Sequence, residues 1–192
     1  MRRVCRRPRS LITRGRSVIF RPTEIPGAYL IEIDKIDDER GFFARTFCTE
    51  EFGRAGLNSR ITQCSVSFNE KRGTLRGMHY QTAPHQETKV VRCTRGAIFD
   101  VLIDLRRESV TRADWISVEL SADNRRMVYV PEGVAHGFQT LMDGSEVFYQ
   151  MSEFFAPDSA FGVRWDDPAF GIRWPIENPI LSERDRSHAP WK

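Results

Sequence analysis

The feature that most constrains the fold is a regular series of short strand-like segments that begins at residue 61. Segments of alternating or continuous apolar residues recur about every 8–12 residues, with turn residues between them. Two of the connections, at 95–96 and 143–144, are tight-turn pairs ending in glycine. The series predicts an all-β fold, a two-sheet jelly roll. The predicted strands cover residues 61–68, 74–81, 88–94, 97–105, 115–120, 126–130, 135–142 and 145–154.

The segments on either side of this series are less regular. Residues 28–36 alternate apolar with polar side chains, which predicts a half-buried strand. One short helix is expected from Thr49, as its N-cap residue, to Gly56. The tail that begins at Asp166 has too many prolines for regular structure, but it is rich in Trp and Ile. We therefore expect the tail to pack against the sandwich.

Charge divides the chain into two parts. Residues 1–21 contain eight arginines and no acidic residue, so the 29 Lys and Arg fall to 21 against 26 Asp and Glu in residues 22–192. This acidic balance argues against a nucleic-acid partner. We predict a disordered basic tail at 1–18 and one domain at 19–192. The tail composition also resembles a transit peptide or a nucleic-acid-binding arm.

The expected compartment is the cytoplasm, with no membrane partner. No stretch approaches the roughly 18 apolar residues of a membrane span, and the N-terminus has no signal-peptide core. The four cysteines show no CxxC spacing and lie among strand-like apolar residues. They are therefore predicted to be reduced, buried thiols.

The stretch 75–81 is the first candidate for chemistry. On a strand, His79 and Gln81 share one face, and Gly77 is expected to clear room beside the imidazole. An imidazole accepts a proton at neutral pH when a carboxylate orients it, so His79 is a candidate general base. The alternative is a hydrogen-bonded core histidine.

Two short motifs match the cupin superfamily. Residues 131–136 follow its P-x-G-x-x-H pattern, and residues 73–79 follow G-x5-H. Metal-binding cupins place a second histidine where this chain has Gln81, and an amide is a poor ligand for a divalent transition metal. No metal is therefore expected, although His85 and Glu87 folding back towards the site would supply further ligands.

Two further polar residues fit the same pocket. Lys89 opens an apolar strand, and Tyr149 lies in another. Taken singly, they are read as a lysine at a strand end and a core tyrosine. Together with His79 they provide a base, a cation and a weak acid, which proton abstraction next to a carbonyl requires.

The whole motif set resembles one family, the dTDP-4-dehydrorhamnose 3,5-epimerases. The resemblance implies a cupin jelly roll, a homodimer, no metal or other cofactor, and a nucleoside-diphospho-4-keto-6-deoxyhexose substrate, dTDP-linked in that family. The similarity runs from about residue 20 to residue 190. It is carried by residues 38–43, 73–81, 89–91, 100–106, 131–138, 165–168 and 181–185, together with Tyr149.

The resemblance also implies a role for individual residues. His79 matches the base, Asp185 the acid that orients it, Tyr149 the proton donor and Lys89 the group beside the C4 carbonyl oxygen. If Asp185 does not orient the base, Asp167 is the next candidate. The substrate-binding positions are Arg40, Gln63, Ser65, Arg76, Lys89, His136 and Arg184.

Several positions depart from the family pattern, and none of them is the base, the donor or the orienting acid. The chain has Ser65 for an asparagine, Arg45 and Ala160 for glutamates, Phe154 for a tyrosine and Arg184 for a lysine. These differences leave open which nucleobase and which sugar the substrate carries. The alternatives are a single-position epimerase or ketoisomerase of a deoxysugar pathway, or a non-catalytic cupin that binds sugar nucleotides.

Overall fold

The computed structural model describes residues 17–191, which form a two-sheet jelly roll. In chain order its elements are β1 (Val18–Pro22), β2 (Tyr29–Ile33), β3 (Ile36–Asp38), β4 (Gly41–Phe43), α1 (Thr49–Arg54), β5 (Gln63–Asn69), β6 (Leu75–Gln81), β7 (Lys89–Arg95), β8 (Ala97–Asp104), β9 (Trp115–Ser121), β10 (Met127–Val130), β11 (Val134–Thr140), β12 (Ser145–Met151), a 3-10 helix (Pro157–Ser159), β13 (Ala160–Gly162) and α2 (Glu183–Arg186). The predicted fold class is confirmed.

The two large sheets are antiparallel. One contains β1, β2, β10, β7, β12 and β5 in that order, and the other contains β13, β6, β11, β8 and β9. The strands β3 and β4 form a separate hairpin. The crossovers between the sheets bring chain-distant strands side by side, so the site is assembled from residues far apart in sequence.

The main core lies between the sheets. Ile98 and Leu102 of β8 pack in one buried cluster with Val128, Val147 and other residues of the six-stranded sheet. Because side chains alternate along a strand, Phe99, Val101 and Ile103 of β8 point to the opposite face. Because both faces are covered, β8 carries apolar side chains on both faces, interrupted only by Asp100 and Asp104.

The C-terminal segment covers that opposite face. Val163 and Phe170 are buried there, and Trp174 and Trp191 pack against the same cluster. At about 25 cal/mol per Å², the burial of several large aromatic side chains offsets the entropy of ordering an irregular segment. The expectation that the tail packs against the sandwich is confirmed.

The eight predicted strands all exist, with ends that differ by three residues at most. The predicted strand at 28–36 is instead β2 followed by β3. The strands β1 and β13 and the helix α2 were not predicted, because each is too short for its hydrophobic period to be recognised. The N-cap of α1 is Cys48 rather than Thr49, and no side chain caps the helix.

Close contact between β6 and β11 explains Gly77. Its φ is +142°, and a Cβ there would lie 2.6 Å from the Cα of Gly137 on β11. The glycine therefore allows two backbones to approach each other. The expectation that it clears room beside His79 is wrong.

Three smaller expectations concern the ends of the chain and its cysteines. Residues 1–16, with Cys5, lie outside the described residues, and Val18 is already buried in β1. Cys93 is a buried free thiol, as expected, but Cys48 is half-buried and Cys64 is exposed on the edge strand β5. Among residues 17–191, no helix has the length and apolar character needed to cross a membrane.

Candidate active site

A cavity of about 220 Å³ opens between the two sheets. The five-stranded sheet contributes side chains from β6 and β13, and the six-stranded sheet contributes side chains from β5, β7 and β12. A larger surface depression of about 620 Å³ contains none of the predicted site residues. The smaller cavity is lined by Gln63, His79, Tyr80, Gln81, Glu87, Lys89, Tyr149, Met151, Phe155, Ala160, Phe161 and Arg184.

The predicted base and its carboxylate are brought together across 106 residues of sequence. His79 Nε2 lies 2.7 Å from Asp185 Oδ1, and about a third of the His79 side chain is exposed to the cavity while Asp185 is buried. A carboxylate that accepts the Nε2 proton leaves Nδ1 as the ring nitrogen with a free lone pair. The pair therefore has the arrangement of an oriented general base.

The helix α2 fixes the position of Asp185. Ser182 caps the helix, and its hydroxyl accepts a hydrogen bond from the Asp185 backbone N–H at 3.1 Å. Burial acts to raise the pKa of Asp185, but the hydrogen bonds from His79 and Ser182 outweigh it and the pKa is lowered. Asp185 is consequently anionic at neutral pH and can stabilise an imidazolium.

Asp167, the other candidate carboxylate, is occupied elsewhere. Its two oxygens accept backbone hydrogen bonds from Ala169 at 2.9 Å and from Trp191 at 2.7 Å. It closes a turn and holds the end of the C-terminal segment. Geometry thus selects Asp185.

Tyr149 reaches the cavity from the opposite sheet. It lies on β12 between β5 and β7, and its ring centroid is 6.3 Å from that of His136. Burial, reinforced by the charge of Asp100, raises the pKa of Tyr149, while Ser67 and the charge of Arg76 act to lower it. The phenol stays protonated at neutral pH and can therefore donate a proton.

Lys89 also comes from the six-stranded sheet, and it forms an ion pair. Its Nζ lies 3.0 Å from Glu87 Oε1, and both side chains are nearly buried. A buried pair of this kind holds the ammonium in one place. Glu87, the acid considered as a metal ligand together with His85, is thus paired with Lys89, and neither of them belongs to the group of possible metal ligands found among residues 17–191.

Two glutamines support the cavity wall. Gln81 donates to the carbonyls of His85 and Phe154 and accepts from the N–H of Ala156. Gln63 accepts from the N–H of Phe155 at 2.6 Å. Both amides satisfy backbone groups of irregular segments, which explains an amide at the position of a cupin histidine.

The remaining predicted substrate-binding residues are spread more widely. His136 is Cα-paired with His79, but it is buried and its Nε2 lies 2.7 Å from Asp100 Oδ2. Arg76 donates to Asn69, and Ser65 lies opposite Tyr149 on β5. None of these three lines the cavity, whereas Gln63, Lys89 and Arg184 do.

Arg40 is not part of this arrangement. It lies in the exposed turn between β3 and β4 and pairs with Asp38, whose carboxylate is 2.6 Å away. Both strands of the hairpin are exposed throughout, and none of its residues lines the cavity. Within one chain the structure does not bring Arg40 to the site.

Sequence reasoning missed several cavity residues. Glu87 was weighed only as a metal ligand, although its spacing of two residues from Lys89 on an extended segment would have predicted a shared face. Phe155 lies in an irregular segment and Phe161 in the three-residue strand β13, and neither shows a periodic signal. His188 lies directly beside the His79–Asp185 pair, and its place in the tail gave no hint of that contact.

Comparison with known proteins places this jelly roll among the sugar-nucleotide epimerases, which are enzymes of the isomerase class. The profile of the dTDP-4-dehydrorhamnose 3,5-epimerases matches residues 22–192. An enzyme of that name from Methanothermobacter thermautotrophicus is 44% identical over 90% of this chain and 94% of its own. One from Shigella flexneri is 42% identical, over 85% and 90%. The chain belongs to the dTDP-4-dehydrorhamnose 3,5-epimerase family.

Solved structures agree with this assignment. The dTDP-4-dehydrorhamnose 3,5-epimerase of Bacillus anthracis, with TDP and PPi bound, superposes with a TM-score of 0.88 at 37% identity and covers 91% of this chain and all of its own. A 3'-monoepimerase from Streptomyces bikiniensis, in complex with dTDP-quinovose, has a TM-score of 0.80 at 35% identity, over 85% and 83%.

Proposed function

We propose that this chain epimerises a dTDP-linked 4-keto-6-deoxyhexose at C3, C5 or both, without a cofactor. The observation that carries the proposal is the oriented His79–Asp185 pair opening into a cavity that also contains Tyr149 and Lys89. The names of the relatives and the bound TDP of the Bacillus anthracis enzyme support the substrate class.

The two sheets supply the two faces of the reaction. His79, on the five-stranded sheet, removes a proton from a carbon next to the C4 ketone. The electron pair of the broken C–H bond forms the C=C bond of the enolate, and the π pair of the carbonyl moves to its oxygen. Lys89, on the other sheet, stabilises the enolate oxygen. Tyr149, beside Lys89 on the same sheet, returns a proton to the opposite face of the carbon, and inversion results.

Cavity size indicates where the substrate lies. A volume of about 220 Å³ is below the usual range for ligand pockets, so it admits the hexose ring and not a whole nucleotide sugar. The nucleoside diphosphate then extends out of the cavity, where Arg184 is available for the phosphates. The free thiols of Cys48, Cys64 and Cys93 fit a reducing compartment, so we place the reaction in the cytoplasm.

A homodimer would complete the site. Within residues 17–191, the edge strand β5 pairs only with β12 and has no strand on its other side, and Val66 and Phe68 are about half exposed. An unpaired apolar edge of this kind suits pairing with a second copy. In such a dimer, the protruding hairpin with Arg40 binds the diphosphate in the partner's site.

A single-position epimerase remains the second candidate, because the Streptomyces bikiniensis relative is a 3'-monoepimerase. The test is incubation of the protein with a panel of nucleoside-diphospho-4-keto-6-deoxyglucoses in deuterated water, followed by proton NMR. We expect deuterium at C3, C5 or both, with inversion at the labelled carbon. Deuterium at one carbon alone assigns the single-position activity. Binding without exchange would contradict the proposed catalysis and leave a non-catalytic binding protein.

A further inference from the structure

His188 lies beside the His79–Asp185 pair and has no role in the proposed reaction. Its Nε2 is buried and makes no hydrogen bond within residues 17–191. That nitrogen is 3.8 Å from Asp185 Oδ1, the same oxygen that lies 2.7 Å from His79 Nε2. One carboxylate oxygen therefore faces two imidazoles, and the two rings are 5.8 Å apart between centroids.

The fold keeps His188 in this position. Gly162 of β13 is the register partner of His79, and a Cβ at Gly162 would overlap the imidazole of His188. The absence of a side chain at Gly162 thus makes room for the second ring. Burial first, then the charges of His79 and Arg184, lower the pKa of His188 against the opposing effect of Asp185. Because its buried Nε2 makes no hydrogen bond within residues 17–191, this nitrogen is available to a ligand.

We propose that His79, Asp185 and His188 form a zinc-binding site through which the ion inhibits the enzyme. Two imidazole nitrogens and one carboxylate oxygen are a common ligand set for zinc. One donor atom from each of the three residues lies within 4.8 Å of the other two. Tetrahedral zinc with bonds near 2.1 Å needs donors roughly 3.4 Å apart, so small side-chain rotations suffice. The exposed part of His79 leaves the fourth position to a cavity water.

Zinc at this site would block the base directly. Coordination takes the lone pair of His79 Nε2, so the single ring proton moves to Nδ1, which is the nitrogen that must accept the substrate's proton. Asp185 is then a metal ligand and no longer orients the ring. The inhibitory consequence rests on the proposed function, whereas the metal site does not.

The test measures zinc binding without any enzymatic readout. Chelator-treated protein is titrated with buffered zinc by calorimetry, and Co²⁺ is used in parallel because its visible absorption reports four-coordinate nitrogen and oxygen ligands. We expect one tight zinc per chain and an affinity at least about tenfold lower in His188→Asn. His188→Gln serves as a second variant if the first unfolds. The matched control is His85→Asn, which removes an exposed histidine outside the cluster and should leave zinc affinity unchanged.

Activity provides the second arm. Chelated protein should be fully active, micromolar zinc should inhibit it, and His188→Asn should need at least about tenfold more zinc relative to its own metal-free rate. Wild-type protein that binds no zinc, or His188→Asn that binds zinc like the wild type, overturns the site. Absence of epimerisation in chelated protein would instead contradict the proposed function and leave the binding result standing.

Discussion

At the scale of single residues, the proposed base and the proposed cation pair with different carboxylates. Asp185 is buried and anionic, and it contacts the base itself. Lys89 is held by Glu87 rather than by Asp185, so the cation and the base are positioned by different carboxylates. Changes at either carboxylate should therefore affect different steps.

Asp185→Asn tests the first of these roles. The amide still accepts a hydrogen bond from His79 but cannot stabilise its imidazolium form, so turnover should fall on the order of 10²–10⁴-fold with little change in KM. Steady-state kinetics measure both constants. The matched control is Asp167→Asn. In the wild type the Asp167 carboxylate accepts hydrogen bonds from the backbone N–H groups of Ala169 and Trp191, so the folded variant should retain most of its turnover. Near-normal turnover in Asp185→Asn would show that another group orients the base.

At the scale of elements, the turn after β8 is the clearest electrostatic feature. Asp104 is fully buried and accepts hydrogen bonds from Arg106, Ser109 and Thr111. Burial acts to raise the pKa of Asp104, but these hydrogen bonds outweigh it and the pKa is lowered. The turn thus stabilises the fold only while this carboxyl is ionised.

The lowered pKa sets the sign of the pH dependence. The stabilisation is fully present above the unfolded pKa near 3.9 and is lost as the pH falls towards the folded value. Asp104→Asn should cost about 2 kcal/mol at neutral pH, and this difference should shrink below about pH 4. Urea unfolding at several pH values measures it. Asp166→Asn, at a solvent-exposed pair with Arg164, is the control and should cost less than about 1 kcal/mol. A constant difference at all pH values would contradict the argument.

Most elements could be predicted from sequence, because alternating side chains and glycine turns mark long strands such as β6 and β12 directly. The helix α2 and the strand β13 could not, since four and three residues carry no readable period. Both elements contribute to the site. His79 could be predicted from the sequence, but Phe161 on β13 and His188 just after α2 could not. The contact of His188 depends on how an irregular tail folds back, and local sequence does not encode that path.

At the scale of the whole molecule, the outer side of the edge strand β5 has no strand partner in the part of the chain that the structure describes. Its outer face presents Val66 and Phe68, with Phe148 of β12 opposite Val66. The hairpin with Arg40 is exposed, and none of its residues lines the cavity of its own chain. A dimer would cover the apolar edge and give Arg40 a substrate to bind.

Phe68→Glu tests the dimer. A carboxylate on the apolar edge must be desolvated or left unpaired on association, so the variant should be a monomer of 22.2 kDa where the wild type is a dimer of twice that mass. Sedimentation equilibrium measures the mass. Val110→Glu is the control, because Val110 is 92% exposed on a turn and its replacement should leave the dimer intact. A monomeric wild type, or a dimeric Phe68→Glu, would contradict the assignment of this edge.

The central claim is that removal and return of the proton belong to different residues on different sheets. Tyr149→Phe removes one hydroxyl and keeps the packing, so it should retain deuterium exchange next to the ketone while epimerised product falls on the order of 10²-fold or more. His79→Asn should lose both exchange and product. Tyr80→Phe, at the other cavity tyrosine, is the matched control and should remain active. Proton NMR of the substrate in deuterated water reads exchange and inversion together. Exchange without inversion in Tyr149→Phe is the predicted result, and inversion at close to the wild-type rate would contradict the account.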